Sequence, residues 1–150
     1  MSVTGLHFLL TDRVVDFDAS CSAAGFDLAG ARRFSALYSG LSRSERRVAR
    51  ALAERLWLPM AFEPLLTGSS LRLDDEPEPE HARTHPLASR FPAGAAALAL
   101  AQRHRGARIA LALKAELVEQ IAVDLAVLLS DQVVASAAGD HAVRAIEIRS

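Results

Sequence analysis

A chain of 150 residues, 51% apolar but only 5% aromatic, has the size of one ordinary domain, and its Ala, Leu and Val content suits helices. A net charge of −1 argues against non-specific binding to nucleic acid or to an anionic membrane. The single cysteine, Cys21, excludes an internal disulfide and a cysteine-built metal cluster, and fits a reducing compartment such as the cytoplasm.

The N-terminal apolar run has no basic residues ahead of it and stops at Asp12 and Arg13, so it does not read as a secretory leader. Within it, Leu6 to Leu10 reads as a short strand. Residues 27–40, DLAGARRFSALYSG, read as a helix with Asp27 as N-cap and Gly40 as stop, which puts Leu28, Ala31, Phe34 and Leu37 on one face. A second helix begins at SRSERRVARALAERLWL. Ser42 and Glu45 have capping-box spacing, and Pro59 ends the run. Its apolar stripe is Leu41, Val48, Leu52 and Leu56, while Arg43, Arg46, Arg47 and Arg50 turn to water. These two helices are expected to pack as a hairpin.

Residues 71–86, LRLDDEPEPEHARTHP, hold five acids against two arginines. Pro77, Pro79 and Pro86 forbid a regular helix and cannot donate to a sheet ladder. An acidic, Pro-rich linker is therefore expected, dividing a helical N-terminal part (1–70) from a helical C-terminal part (87–150) that ends in a strand.

In that second part, AALALAQRHRGARIALAL alternates around a polar turn, so residues 96–115 fit a β-hairpin by period. Alanine favours helices and is depleted in strands, which favours two helices instead, 92–104 and 108–129, broken at Gly106. Pro92 is acceptable in the first turn. In the later helix Leu113, Leu117, Ile121, Leu125 and Leu128 form the core stripe. Glu116, Glu119, Gln120 and Asp124 decorate the other side, and Val118, Ala122 and Leu129 widen the stripe toward a partner. The stretch FPAGAAALALAQ is too short to span a bilayer, so membrane insertion is not expected. AVRAIEIR alternates as a strand, Arg144, Ile146 and Ile148 on one side and Val143 and Ala145 on the other. The expected fold is α+β and mainly helical: a helical hairpin and a long amphipathic helix with a few short strands.

Chemistry is sparse. RVVDFDAS resembles the opening of haloacid-dehalogenase-like phosphatases, in which the first Asp is the nucleophile and the second the acid. Such an enzyme needs a Lys and then an acidic pair for Mg²⁺. Here the only Lys, Lys114, follows Asp74–Asp75, the wrong order, so Asp16 and Asp18 read better as turn and cap carboxylates. His81 and His85 have the i, i+4 spacing of a metal pair, but the flanking prolines deny them a helix. Cys21 has no basic neighbour in sequence to depress its pKa. The Arg43–Arg50 cluster could bind phosphate or an acidic protein, though a solvated helix face is the plainer account. No Gly-rich phosphate loop is present. No catalytic, cofactor or metal site is expected.

Three strings in order, HARTHPLASRF, ELVEQIAVDLAVLLSD and HAVRAIEI, resemble the segment entering the C-terminal domain of bacterial type III secretion proteins of the HpaP kind, over residues 81–148. That family controls needle or hook-like length and switches substrate specificity at the export gate. The resemblance implies an accessory or regulatory role, with secretion-apparatus components as partners. In that family the strand matching VRAIEI opens a compact α/β domain of several more strands. The expectation is a non-enzymatic protein acting through protein–protein contacts, with a second copy as a further partner. Its expected docking residues are Val118, Ala122 and Leu129 on the long helix, and Arg43, Arg46, Arg47 and Arg50. The alternative is a small enzyme or ligand-binding domain whose site forms only in three dimensions.

Overall fold

The computed structural model describes residues 2–26, 34–63, 66, 91–137 and 141–149. Within them the chain runs β1 (Val3–Leu10), α1 (Phe17–Ala24), β2 (Phe34–Ser39), α2 (Arg43–Leu56) and β3 (Met60–Phe62). It continues with α3 (Pro92–Arg103), β4 (Arg108–Leu113), α4 (Ala115–Leu129), a short 3₁₀ turn, β5 (Val133–Ala137) and β6 (Val143–Arg149). The strands form one mixed sheet in the order β3-β2-β4-β1-β6-β5. β3, β2, β4 and β1 run parallel, and the β5–β6 hairpin joins β1 antiparallel.

This α/β architecture overturns the mainly helical expectation. Residues 34–39 are a strand where the sequence pattern predicts a helix, so the two-helix hairpin does not exist; positions 27–33 of that expected helix lie outside the described residues. Residues 108–113 are likewise a strand, and the long helix starts only at Ala115. β4 sits between β2 and β1 and is buried along Ile109–Leu113 on both faces. Strands buried on both faces read as near-continuous apolar runs. With small alanines at 110 and 112, such a run is indistinguishable from a buried helix by period alone. The linker 71–86, with His81 and His85, lies outside the described residues. Strands from either side of it interleave, since β1 lies between β4 and β6.

Each face of the sheet carries its own core. On one side Cys21 of α1 and Leu52 and Leu56 of α2 meet Leu9, Leu37 and Ala110. On the other, Ala97 and Leu100 of α3 and Val118, Ile121 and Leu125 of α4 meet Leu6, Phe8, Ile109, Leu111 and Ile146. The alternation of β6 follows expectation, with Val143 in the first core and Ile146 and Ile148 in the second. α2 starts as its sequence predicts: Ser42 Oγ accepts from Glu45 N at 3.2 Å, and Glu45 Oε1 accepts from Ser42 N at 3.3 Å.

α3 and α4 touch very closely. α3 has no capping side chain of its own. Its Gly94 N–H instead donates to Asp124 Oδ2 of α4 at 3.0 Å. Asp124 is 1% exposed, and its other oxygen accepts from Gln120 at 2.6 Å. Polarity alone places this carboxylate in water; the structure makes it a cap for a neighbouring helix, delivered through the core.

Candidate functional site

In open α/β sheets a ligand usually sits outside the carboxyl ends of the strands, where neighbouring strands send the chain to opposite faces. Here that crevice lies beside β4, because α4 follows β4 on one face while α1 and α2 follow β1 and β2 on the other. The chain's own carboxylates fill it. Asp12 Oδ1, just past β1, accepts from Ala115 N at 2.8 Å, and Glu45 Oε2 accepts from Lys114 N at 3.1 Å. The positive N-terminal end of α4 is thereby capped twice from within. Glu45 is 6% exposed and also accepts from the Ser42 hydroxyl at 2.6 Å. Gly40 makes room for it: a Cβ there would lie inside the Glu45 carboxylate. A phosphate entering this crevice would meet two acids instead of free N–H groups.

The outer face of α2 is the contrasting surface. Arg43, Arg47, Arg50, Glu54 and Trp57 follow one another at helical spacings of four, three, four and three, with Arg46 alongside, and all six are exposed. Trp57 is 85% exposed at the helix C-cap, in the left-handed region at φ 56. Behind this face the helix is fixed. Glu45, Ala49, Leu52 and Leu56 are buried, and Arg55 binds Asp18 of α1 at 2.7 Å and donates to the Phe26 carbonyl. No ion pair or hydrogen bond to a described residue holds Arg43, Arg46, Arg47 or Arg50.

That face carries an energetic cost. Arg43–Arg46, Arg43–Arg47, Arg46–Arg50 and Arg47–Arg50 are like-charge neighbours three or four residues apart. Each such pair destabilises a helix by about 0.2–0.5 kcal/mol. Arg43 and Arg46 also stand in the first turn, where the helix dipole disfavours cations. A sequence that breaks local rules without structural compensation marks a place where something else is being served.

The other expected docking residues lie elsewhere. Val118 is wholly buried, and Ala122 and Leu129 are partly buried against the same core. The seam of α4 expected to meet a partner therefore faces the sheet. Its outward residues include Glu116, Gln120, Val123 and Val127. Asp16 caps α1, accepting from Ala19 N at 3.1 Å. Cys21 is buried, and burial pushes its thiol up to about 11, outweighing the opposite pull of Arg55. Tyr38 and His104 share a hydrogen bond of 2.7 Å between the hydroxyl and Nε2. Burial, and then Arg103, lowers the pKa of His104.

Asp12 and Asp124 escape sequence reasoning. Asp12 has a readable signal, a carboxylate directly after an apolar strand. Asp124 has none, because its main partner lies thirty residues away. Compared with known protein families, with curated proteins and with solved structures, the chain matches none. Among the described residues no helix is long and apolar enough to cross a membrane.

Proposed function

We propose that this protein is a non-enzymatic binding module whose α2 face docks an acidic segment of a partner protein. The observation carrying the reading is the repulsion among Arg43, Arg46, Arg47 and Arg50 on an anchored helix, which Glu54, one turn past Arg50, offsets at one end only. A polyanionic partner would relieve that repulsion and form charge-assisted, bidentate contacts with the guanidinium groups. Trp57, at the end of the same stripe, supplies the exposed aromatic anchor that such interfaces favour. The self-capped crevice adds support from the other direction, since the usual ligand position of this architecture offers its helix N-termini to Asp12 and Glu45.

The setting we propose is the cytoplasmic side of a type III secretion apparatus, in an accessory or regulatory role. It draws on the strings of residues 81–148 alone. In that family the corresponding strand opens a further domain, whereas β6 here has both edges paired, to β1 and β5. The decisive experiment places a photo-crosslinker at Trp57 and compares the full chain with the Arg43/Arg46/Arg47/Arg50→Gln variant in the native host. An acidic protein crosslinked by the first and lost by the second supports the reading. Identical products from both would sink it.

A further inference from the structure

β3 closes one edge of the sheet, with β2 as its strand neighbour among the described residues. An edge strand presents a row of unpaired backbone N–H and C=O groups, a template for one more strand. The pairing fixes which way its side chains point. Met60 and Phe62 stand opposite Leu37 and Ser39, and Ala61 stands opposite Tyr38. Leu37 belongs to the core on the α2 side and Tyr38 to the other core. Met60 and Phe62 therefore point to the α2 side, and Ala61 and Glu63 away from it. Glu63 accordingly reaches Arg103 of α3, at 3.9 Å. Phe62 is 44% exposed, and Ala61 is exposed as well.

α2 turns one flank toward this edge. Its other flank carries Arg55, which binds Asp18 of α1, and α1 packs on β1 and β6, away from β3. Successive residues of an α-helix turn by about 100°, which puts Arg46 about 180° and Arg50 about 140° around from Arg55. Both are exposed, and neither has an ion pair or hydrogen-bonded side chain among the described residues. Trp57 stands at the end of the helix, three residues before β3 begins. We propose that the acidic partner segment docks as an added strand on the free edge of β3, with acidic side chains at alternate positions meeting Arg46 and Arg50. This rests on the α2 docking face proposed above and deepens it by stating the partner's conformation and spacing. A strand added there lies about 4.8 Å beyond β3, alongside the arginine flank, and its successive side chains point to opposite faces. Charge chooses the face for the acids: the α2 side offers two unpaired arginines, whereas the other side presents Glu63 with Arg103 already beside it. Main-chain bonds supply affinity in such strand addition, and alternate side chains supply specificity.

A capped octapeptide alternating threonine and glutamate, titrated into the ¹⁵N-labelled full chain, tests it. Saturable shifts are expected over residues 57–63, with slower amide hydrogen exchange along β3. The matching threonine–lysine peptide should not bind. N-methylation of the two central peptide residues blocks one donor on each edge without changing charge, and should weaken binding roughly tenfold or more. Arg46/Arg50→Gln should weaken the parent peptide by a similar factor. Equal affinity of the N-methylated peptide, with the arginine dependence kept, overturns strand addition and leaves the α2 docking face standing. Affinity unchanged in Arg46/Arg50→Gln counts against both. The proposal is also overturned by the absence of saturable shifts over residues 57–63. Full protection of the Met60, Ala61 and Phe62 amides in the free chain overturns it too, since the edge would already hold a second copy or the chain's own residues.

Discussion

Replacing Gly94 with alanine separates two opposed expectations. Helix propensity alone predicts stabilisation, because Ala exceeds Gly by about 1 kcal/mol in a helix interior. The α3–α4 contact predicts the reverse. A Cβ at Gly94 would fall against the Asp124 side chain and 3.2 Å from that residue's backbone carbonyl carbon. Neither helix yields cheaply there, since Ala93, Ala96 and Ala97 on one side and Ile121 and Leu125 on the other are buried in the same core. Overpacking of this kind costs about 1–3 kcal/mol. Moving α3 away also stretches the 3.0 Å bond from Gly94 N to Asp124. A hydrogen bond to a charged group is worth about 1.5–3 kcal/mol. Set against the propensity gain, the net loss should be about 2–4 kcal/mol, a fall in Tm of roughly 4–16 °C for a domain of this size. Urea unfolding followed by circular dichroism measures it. Asp124→Gly combined with Gly94→Ala should cost less than the two single losses added together, because it removes the Asp124 Cβ that the new methyl would meet and both changes lose the same hydrogen bond. A Gly94→Ala protein as stable as the parent, or more so, would refute the reasoning.

Four further outcomes follow from named contacts. Ile121→Ala should lose about 2–5 kcal/mol, and Val118→Asp should unfold the chain at least as readily, since it buries an unpaired charge in the same core; a folded Val118→Asp protein in sedimentation and circular dichroism would contradict this burial. Arg43/Arg46/Arg47/Arg50→Gln should raise stability by about 0.6–1.5 kcal/mol, the four repulsions removed less the Arg50–Glu54 attraction lost with them, and an unchanged urea midpoint would remove the energetic basis of the docking face. Glu45→Ala should cost about 1–3 kcal/mol, because Lys114 N and Ser42 N lose their acceptor, whereas a loss no larger than that of an exposed helix residue would argue against its tertiary role. Stability should also fall as pH drops below the ordinary histidine value of 6.5. Burial, and then Arg108, lowers the pKa of His7 against a smaller opposite pull from Glu147, so below 6.5 the unfolded chain binds the proton first; His7→Gln should flatten the fall in urea midpoint on acidification, and an unaltered pH profile would exclude His7 as its source.

The strands are legible in the sequence where one local signal is enough. β1 and β6 show as apolar and alternating runs. β2 is hidden by an irregularity. The register slips between Phe34 and Ala36, and this slip places Phe34 and Leu37 in the same core. Three residues apart on one face is the spacing of a helix, so a bulged strand counterfeits helical periodicity. β4 is hidden by its position in the middle of the sheet, where both faces are covered and alternation carries no information.

The two candidate surfaces on helices divide for a related reason, which is whether the sequence fixes the rotational phase of the helix. In α2 the reciprocal Ser42–Glu45 box pins the first turn. Every later residue then has a known side, and the exposure of Arg43, Arg46, Arg47 and Arg50 is legible in the sequence alone. α4 has no such marker: Lys114 precedes its first turn without a side-chain cap. Its phase has to be inferred from polarity, which counts Asp124 as an outward residue. Turned the right way, the inner face is Val118, Ile121, Asp124 and Leu125, with a carboxylate in the middle of an apolar stripe. Polarity marks a residue that requires a partner but does not identify the partner. For Asp124 the partner is Gly94 of the same chain; for the four arginines of α2, which have none among the described residues, the same argument directs the search outside it.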